Sequence, residues 1–390
     1  MPKIDFNNTE IAFSHKTDRE LKKARLLFKS FGYPWLINYG PILAAKFINV
    51  LPPLKSLIKN TLFAQFCGGE SIQDCKKAIS SLSNGHIGTI LDYSVEGEEN
   101  DKVFDYTADE IIRTIEVAAT NKEGIPFSVF KTTGIGRMDL LTKVNAGQQL
   151  DQNESAEFER VKARFEKICL KAYQSDVRLF VDAEDSWIQD IIDQLTYEAM
   201  LKYNQQKAII YNTIQCYRTG RVEHIQSKLK EMNVYLGFKL VRGAYMEKER
   251  ERATQMGYVS PIHLNKADTD NEYDQAVKLC MDQIERVSIC AGTHNELSSM
   301  KLAALMEERS IPLNHPHVYF AQLLGMSDHI SYNLAKGGYN VAKYVPYGPV
   351  KAVLPYLSRR ARENSSVKGQ VGRELGLIQT ELLRRRANSK

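Results

Sequence analysis

Short apolar runs alternate with segments of helical periodicity along most of the chain. Each run is bounded by turn residues and is typical of a buried strand. The runs occupy residues 88–92, 127–131, 178–182, 208–215, 236–242, 287–291, 317–320 and 340–344. The intervening segments carry apolar residues three or four positions apart, which predicts helices. These helices occupy residues 109–119, 154–174, 188–204, 222–233, 273–285, 296–309 and 320–335.

The alternation of strand and helix predicts parallel strand pairing. Eight such repeats favour a closed (β/α)8 TIM-like barrel over a doubly wound open sheet. Polar residues stand at the carboxyl end of every predicted strand, where the strand ends of a barrel converge on one mouth. The pattern therefore predicts a site built from Asp92, Lys131, Asp182, Gln215, Arg242, His294, Gln322 and Tyr344.

The segment before the barrel has a different character. Residues 18–31 form an amphipathic helical pattern, and residues 33–66 are apolar but interrupted by Pro34, Pro41 and the pair at 52–53. One interpretation is a helical arm that packs on the main domain. The other is an interfacial contact with a membrane surface.

Composition narrows the class of protein. Of the 390 residues, 43% are hydrophobic and 25% are charged, which is typical of a soluble globular protein. A net charge of +5, without a basic patch interleaved with aromatic residues before residue 350, argues against a nucleic-acid partner, although residues 382–386 are locally basic. The six cysteines form no CxxC motif, as expected for reduced thiols in a cytoplasmic protein. Neither a signal peptide nor a run of about 18 uncharged apolar residues occurs, so no transmembrane helix is expected.

Familiar cofactor and metal motifs are absent. Gly134 and Gly136 lack the third glycine of a dinucleotide fingerprint, so they indicate a tight turn after the second strand. The pair His315 and His317 is more typical of a loop that enters a strand than of a metal site. The acidic cluster at residues 182–185 favours hydrogen bonding over metal binding, and no metal is expected.

A stripe of polar residues marks the helix predicted near the C-terminus. Tyr356, Arg359, Arg360 and Glu363 are spaced i, i+3, i+4 and i+7, so they share one helix face. One interpretation is a solvated surface helix with an Arg359–Glu363 ion pair. The other is a binding site for a small carboxylate, since each guanidinium can donate two parallel N–H hydrogen bonds to it.

The fifth predicted strand ends in a second unusual segment. Lys239 and Val241 alternate with Leu240 and Arg242 on the two faces of the strand. The small residues Gly243 and Ala244 follow and allow a ligand to approach the backbone closely. A long basic residue beside such a turn suits an anionic or electron-accepting ring system.

Five ordered motifs resemble those of the proline dehydrogenase family, the FAD-dependent barrel enzymes of proline catabolism. They are KLVRGAY at 239–245, AGTHN at 291–295, FAQLLGM at 320–326, YVPYGP at 344–349 and YLSRRAREN at 356–364. The resemblance covers residues 85–367. It implies an N-terminal helical arm at 1–84, a catalytic barrel at 85–367 whose last helix lies across the mouth, and a basic amphipathic tail at 368–390.

The resemblance also implies roles for individual residues. Arg359, Arg360 and Lys131 would bind the proline carboxylate, and Glu96 would be a gate that pairs with the second arginine. The pyrrolidine ring would lie against Tyr344, Tyr356, Tyr245 and Leu323. Binding of FAD would fall to Asp182, Gln215, Lys239, Arg242, Gly243, Ala244, Tyr245, Thr293, His294, Asn295 and Glu363.

The activity that the resemblance implies is oxidation of L-proline to Δ1-pyrroline-5-carboxylate by hydride transfer to FAD, with electrons passed on to a membrane quinone. Segments 33–66 and 375–386 would then serve as peripheral surface anchors, on the inner membrane for example. Lys239 and Met246 depart from some bacterial members and match the shorter, eukaryote-like branch, so a monofunctional enzyme is expected. Hydroxyproline dehydrogenase is one alternative, against which the bulky Tyr344 argues. A non-catalytic barrel is another.

Overall fold

A computed structural model describes residues 4–33, 35, 40, 46, 52–94, 100–366 and 370–388. Within that part of the chain, eight parallel strands form a closed barrel in chain order. The strands are β1 (Ile87–Tyr93), β2 (Phe127–Phe130), β3 (Arg178–Val181), β4 (Ile210–Gln215), β5 (Leu236–Val241), β6 (Val287–Gly292), β7 (Val318–Leu323) and β8 (Val341–Tyr347). Every predicted run overlaps one of these strands, so the predicted (β/α)8 barrel is confirmed.

Helices precede, connect and follow the strands. Before the barrel lie α1 (Thr9–Ala12), α2 (Asp18–Ser30), α3 (Pro52–Ile58) and α4 (Lys76–Asn84), with a π-helical turn at Lys59–Phe63. Between strands lie α5 (Asp101–Thr120), α6 (Met138–Asn145), α7 (Gln152–Ser175), α8 (Ser186–Tyr203), α9 (Arg221–Glu231), α10 (Met246–Met256), α11 (Lys266–Met281), α12 (Glu296–Glu308) and α13 (Asp328–Lys336). The chain continues in α14 (Leu354–Ser366) and α15 (Gln370–Asn388).

The helix predicted at 320–335 starts too early. Strand β7 continues to Leu323, and α13 begins only at Asp328. The turn between them contains Gly325 at φ +75° and Ser327 at φ +52°, both in the left-handed region. A helix cannot run through such residues. Apolar residues of the strand end and of α13 share a helical spacing by coincidence, which produced the wrong start.

The chain divides into two compact units, Met1–Glu96 with Gln322–Lys390 and Gly97–Ala321. In the first unit β1 pairs with β8 from Ile87↔Val341 to Tyr93↔Tyr347. In the second, β2 to β6 pair in sequence, with registers such as Phe130↔Val181 and Gln215↔Val241. Registers of this kind bring the carboxyl ends of neighbouring strands to one edge of the sheet.

The C-terminal helix α15 packs inside the first unit. Leu377, Ile378 and Leu382 are buried in the hydrophobic cluster that also holds residues of α2. Arg385 donates to the carbonyl of Phe13 at 2.8 Å and pairs with Asp18 at 2.9 Å. The amphipathic pattern of the predicted tail therefore serves packing within this unit. Among the described residues, no helix is both long and apolar enough to span a bilayer.

The second unit contains a half-buried histidine that links its stability to pH. The Nε2 atom of His224 lies 2.7 Å from the hydroxyl of Tyr197. Burial, with help from the neighbouring cations Arg221 and Lys228, lowers the pKa of His224 to about 4. A depressed folded pKa means that the unfolded chain binds the proton first. The contribution of His224 to the free energy of unfolding is therefore fully present above pH 6.5, the pKa of histidine in the unfolded chain. It is lost as the pH falls from there towards about 4, the pKa in the folded protein.

We expect the free energy of unfolding to fall by about 2 kcal/mol between about pH 7 and about pH 5 through this residue. Urea unfolding of the wild type and of His224→Gln at both pH values measures the contribution. The variant should show a smaller loss, because glutamine does not titrate. An equal loss in both proteins would assign the pH dependence to other groups.

Candidate functional site

In the second unit, four predicted site residues lie at neighbouring strand ends. Lys131, Asp182 and Arg242 directly follow β2, β3 and β5, and Gln215 is the last residue of β4. Strands β2 to β5 are hydrogen-bonded neighbours, so these side chains line one edge of the unit. The polar strand ends predicted from the sequence are therefore brought together by this part of the sheet.

Lys239 reaches from β5 to Asp182 at the end of β3. Its ammonium donates to the Asp182 carboxylate and lies 5.5 Å from the centre of the Phe180 ring. The Lys239 side chain is only 6% exposed. A buried ammonium is stable when a carboxylate neutralises it. Lys239 and Asp182 thus form a buried ion pair next to the strand ends.

Arg242 is fixed by helices that follow later in the chain. Its Nε donates to Asp270 at 2.6 Å, its Nη1 to Thr293 Oγ1 at 2.8 Å and its Nη2 to Ser298 Oγ at 2.9 Å. The guanidinium also stands 4.5 Å from the ring of Tyr273. With so many contacts its orientation is set before any ligand binds. Asp270, Tyr273 and Ser298 were not foreseen from the sequence.

Gly243 forms an exposed turn beside Arg242 that only glycine can make. Its φ is +126°, and a Cβ atom there would lie 2.5 Å from the ring of Tyr217. Residue 244 is also exposed, and Tyr245 is the residue that directly precedes helix α10. The backbone at 243–244 is therefore open to a ligand, as the sequence predicted.

The loop after β2 is held by an acid from the loop after β3. Glu184 is buried and accepts from the backbone N–H of Thr133 at 2.9 Å, and also from the Thr133 hydroxyl. Asp185 pairs with Lys248 at 2.7 Å. The acidic cluster at 182–185 thus makes hydrogen bonds and ion pairs, as predicted. Glu184 orients the turn that starts at Lys131, a role the sequence did not reveal.

The segment after β6 turns sharply into α12. Thr293 Oγ1 accepts from the backbone N–H of Asn295 at 3.1 Å as well as from Arg242. Asn295 caps α12 by accepting from the N–H of Ser298 at 3.2 Å. His294 is half-buried between these two anchored residues. The AGTHN motif is therefore a rigid strand-to-helix turn.

Three buried polar atoms near these strand ends have no hydrogen-bond partner among the described residues. They are Gln215 Oε1, the Tyr217 hydroxyl and Thr132 Oγ1. Buried polar groups in folded proteins almost always have partners. Their position at the ends of β4 and β2 fits groups that bond to a ligand or to water.

In the first unit, two residues of the polar stripe on α14 are buried and the other two, Arg359 and Glu363, are half-buried. Tyr356 is 6% exposed and Arg360 is 7% exposed, so the interpretation as a solvated surface helix is wrong. Arg360 Nη1 lies 2.5 Å from Glu363 Oε2, and its guanidinium is 5.1 Å from the ring of Tyr356. The ion pair therefore joins Arg360 to Glu363 at i,i+3.

Burial dominates the electrostatics of this stripe. It raises the pKa of Glu363 above its ordinary value, although the charges of Arg360 and Arg359 oppose the shift. Burial likewise raises the pKa of Tyr356. The Tyr356 hydroxyl has no hydrogen-bond partner among the described residues. A desolvated cation beside an unsatisfied hydroxyl suits a small anionic ligand.

The remaining residues of the first unit are Tyr344 and Leu323. Tyr344 is buried within β8, because pairing with β1 continues to Tyr347, so its predicted place at the strand end is wrong. Leu323 ends β7 and packs on the cluster that holds Tyr356 and Leu357. Glu96 lies outside the described residues.

Comparison with known proteins identifies the family. A sequence model of the proline dehydrogenase family matches residues 75–373. "Proline dehydrogenase 2, mitochondrial" of Arabidopsis thaliana is 32% identical over 375 residues, covering 84% of this chain and 79% of that protein. "Hydroxyproline dehydrogenase" of Xenopus laevis is 28% identical over 422 residues, covering 97% and 90%.

A solved structure shares the fold. Proline utilization A from Bdellovibrio bacteriovorus, described as inactivated by N-propargylglycine, superimposes with a TM-score of 0.74 at 18% identity. The match covers 94% of this chain but only 42% of that longer protein. The chain belongs to the proline dehydrogenase family and is an enzyme of that family, whose reaction is the oxidation of proline.

Proposed function

We propose that the protein oxidises L-proline to Δ1-pyrroline-5-carboxylate with FAD as its cofactor. The observation that carries this proposal is the polar stripe of α14, where the buried Arg360 stands between Glu363 and Tyr356. A guanidinium that is already desolvated binds a small carboxylate strongly, because little water has to be removed on binding. We assign the carboxylate to Arg360 and Arg359, and on the family resemblance also to Lys131.

The strand ends of the second unit fit a flavin. The turn at Gly243 is exposed, so a ligand can approach its backbone, and Gln215 and Tyr217 offer buried polar atoms without partners among the described residues. Lys239 and Arg242 are the cations at this edge, each paired with a carboxylate, and they would lie beside the cofactor. FAD would supply the hydride acceptor. On the family resemblance its binding also involves Asp182, Ala244, Tyr245, Thr293, His294, Asn295 and Glu363.

The chain's own residues then orient the substrate. Arg360 and Arg359 fix the carboxylate, and Tyr356, Tyr344 and Leu323 provide apolar surface for the ring. Orientation of a small substrate in this way can contribute several kcal/mol to catalysis. We assign no residue as a general base, so catalysis is attributed mainly to positioning. Glu96 retains its proposed role as a gate.

We propose a membrane quinone as the acceptor of the electrons, with contact to the membrane surface through the N-terminal arm. Four large apolar side chains among the described residues of this arm are exposed, Leu26 at 64%, Tyr33 at 51%, Trp35 at 63% and Leu57 at 60%. The C-terminal tail is a weaker anchor, because its apolar face packs inside the first unit. Co-sedimentation with liposomes tests this assignment: Trp35→Ser with Leu57→Ser should reduce binding, and Leu383→Ser should not.

Hydroxyproline is the second candidate substrate, since a relative bears the name of that activity. Tyr344 favours proline, because a phenol in the ring wall would crowd a ring hydroxyl. The test is anaerobic addition of each amino acid to the purified yellow protein. L-Proline should bleach the flavin and yield trapped pyrroline-5-carboxylate, and proline methyl ester, which lacks the anion, should not. A colourless protein that takes up no FAD would overturn the proposal.

A further inference from the structure

The turn between β7 and α13 is held by side chains from four distant parts of the first unit. We call residues 323–328 the β7 turn. Its backbone and its terminal Asp328 are bonded at 2.5–2.8 Å by four residues far away in sequence. These four are Lys16, Gln65, Lys343 and Glu374.

Lys343 of β8 makes the largest share of these bonds. Its side chain is fully buried, and its ammonium donates to the carbonyl of Met326 at 2.7 Å and to that of Leu323 at 3.3 Å. It also pairs with Asp328 at 2.8 Å. A lysine ammonium has three donors, so all three end on the β7 turn.

The same bonds fix Leu323 relative to Tyr344. The Leu323 carbonyl accepts from Lys343, and the N–H of the next residue, Leu324, donates to the Tyr344 carbonyl at 2.9 Å. Both sides of the Leu323–Leu324 peptide are therefore anchored to consecutive residues of β8. Because strand side chains alternate, Lys343 and Tyr344 point to opposite faces of β8.

The β7 turn has a backbone that needs such support. Ser327 adopts φ +52°, a left-handed conformation that is strained for a residue with a side chain. Gly325 at φ +75° packs so closely on Gln65 that a Cβ would lie 2.1 Å from the Gln65 carbonyl oxygen. Such a conformation persists when surrounding contacts hold it, and here Lys343 contributes three of them.

Charges around Asp328 favour the ionised form of its carboxyl group. Burial alone would raise the pKa of Asp328, but Lys16, Lys343 and His15 together hold it well below its ordinary value. Burial lowers the pKa of Lys343, and Asp328 opposes that shift. Lys16 binds the other oxygen of the same carboxylate at 2.6 Å and touches neither carbonyl that Lys343 holds.

We propose that Lys343 is a positioning residue that sets the spacing between Leu323 and Tyr344, and through them the selectivity of the enzyme for the substrate ring. This inference rests on the proposed function, in which both residues form the wall of the ring site. Loss of Lys343 would let the β7 turn relax and would widen that wall. Ring-substituted prolines would then be excluded less well.

The test is steady-state kinetics of the flavin-loaded full chain with L-proline and trans-4-hydroxy-L-proline. In Lys343→Met we expect the KM for proline to rise roughly tenfold with kcat little changed. The preference for proline over hydroxyproline, as a ratio of kcat/KM, should fall at least about threefold. Lys16→Met is the matched control, because it loses one bond to Asp328 and leaves the β7 turn carbonyls bonded. Its selectivity should equal that of the wild type.

A second variant, Lys343→Met with Asp328→Asn, removes both buried charges and should fold where the single change does not. Leu323→Ala should shift selectivity in the same direction, and its effect should not add to that of Lys343→Met. Unchanged selectivity in both Lys343 variants would overturn the role of Lys343. A wild-type protein that does not oxidise proline would instead overturn the proposed function.

Discussion

Replacing Arg360 with methionine is expected to raise the KM for proline about a hundredfold while the bound flavin stays in place. Arg360 is buried and already held by Glu363 and the ring of Tyr356. A hydrogen bond to a charged group contributes about 1.5–3 kcal/mol, and about 2.7 kcal/mol corresponds to a hundredfold change in affinity. Arg359 and the ring wall still orient the substrate in this variant, so kcat should fall by less than the KM rises.

The helix offers a matched control for this prediction. Arg362 lies on α14 as well but is exposed, so Arg362→Met should leave the KM unchanged. Loss of Arg360 also leaves Glu363 without its closest cation, and burial then favours the neutral acid. The double variant Arg360→Met with Glu363→Gln avoids that titration. Its KM should be raised as much as that of Arg360→Met alone.

Measuring both KM and flavin content shows whether Arg360 binds the substrate or the cofactor. Flavin content is measured from the visible absorption of the purified protein, and KM from initial rates. Loss of flavin from Arg360→Met would place Arg360 in the cofactor site and contradict its assignment to the carboxylate. An unchanged KM would remove it from the substrate site altogether.

Strand positions could be predicted from the sequence because burial imposes a simple pattern. Runs such as 178–182 and 236–242 are mainly apolar, and each ends in a polar residue where the strand leaves the core. This regularity led to Lys131, Asp182 and Arg242 at one edge. It failed at Tyr344, because β8 stays paired with β1 for three further residues that are also apolar enough for a strand.

Partners of the site residues could not be predicted in the same way. Arg242 is fixed by Asp270 and Ser298, which lie 28 and 56 residues further along the chain. Such contacts depend on how helices are placed on the sheet, and no local periodicity records that placement. A lysine at 343 within an apolar strand was a visible anomaly. Its role depends on the β7 turn that it binds, and the sequence alone does not show that the two are in contact.

Replacing Gly243 with alanine is expected to abolish flavin binding in a protein that still folds. The alanine Cβ would lie 2.5 Å from the ring of Tyr217, closer than real Cβ contacts occur. A φ of +126° is also strained for any residue with a side chain. The exposed turn must therefore shift, and the surface that we assign to the flavin shifts with it.

Two further variants separate backbone strain from the clash with the ring. Gly257 has φ +72° with no atom within 4 Å of a built Cβ, so Gly257→Ala adds strain of about 1 kcal/mol in open space. Its flavin content should be normal. Combining Gly243→Ala with Tyr217→Ala removes the ring atoms that the new Cβ would meet, so flavin content should rise towards that of Tyr217→Ala alone. It should stay below that of the wild type, because the Tyr217 hydroxyl is lost as well. Full flavin content in Gly243→Ala alone would show that the 243–244 backbone does not contact the cofactor, because a turn displaced by a clash of this size could not preserve a close fit.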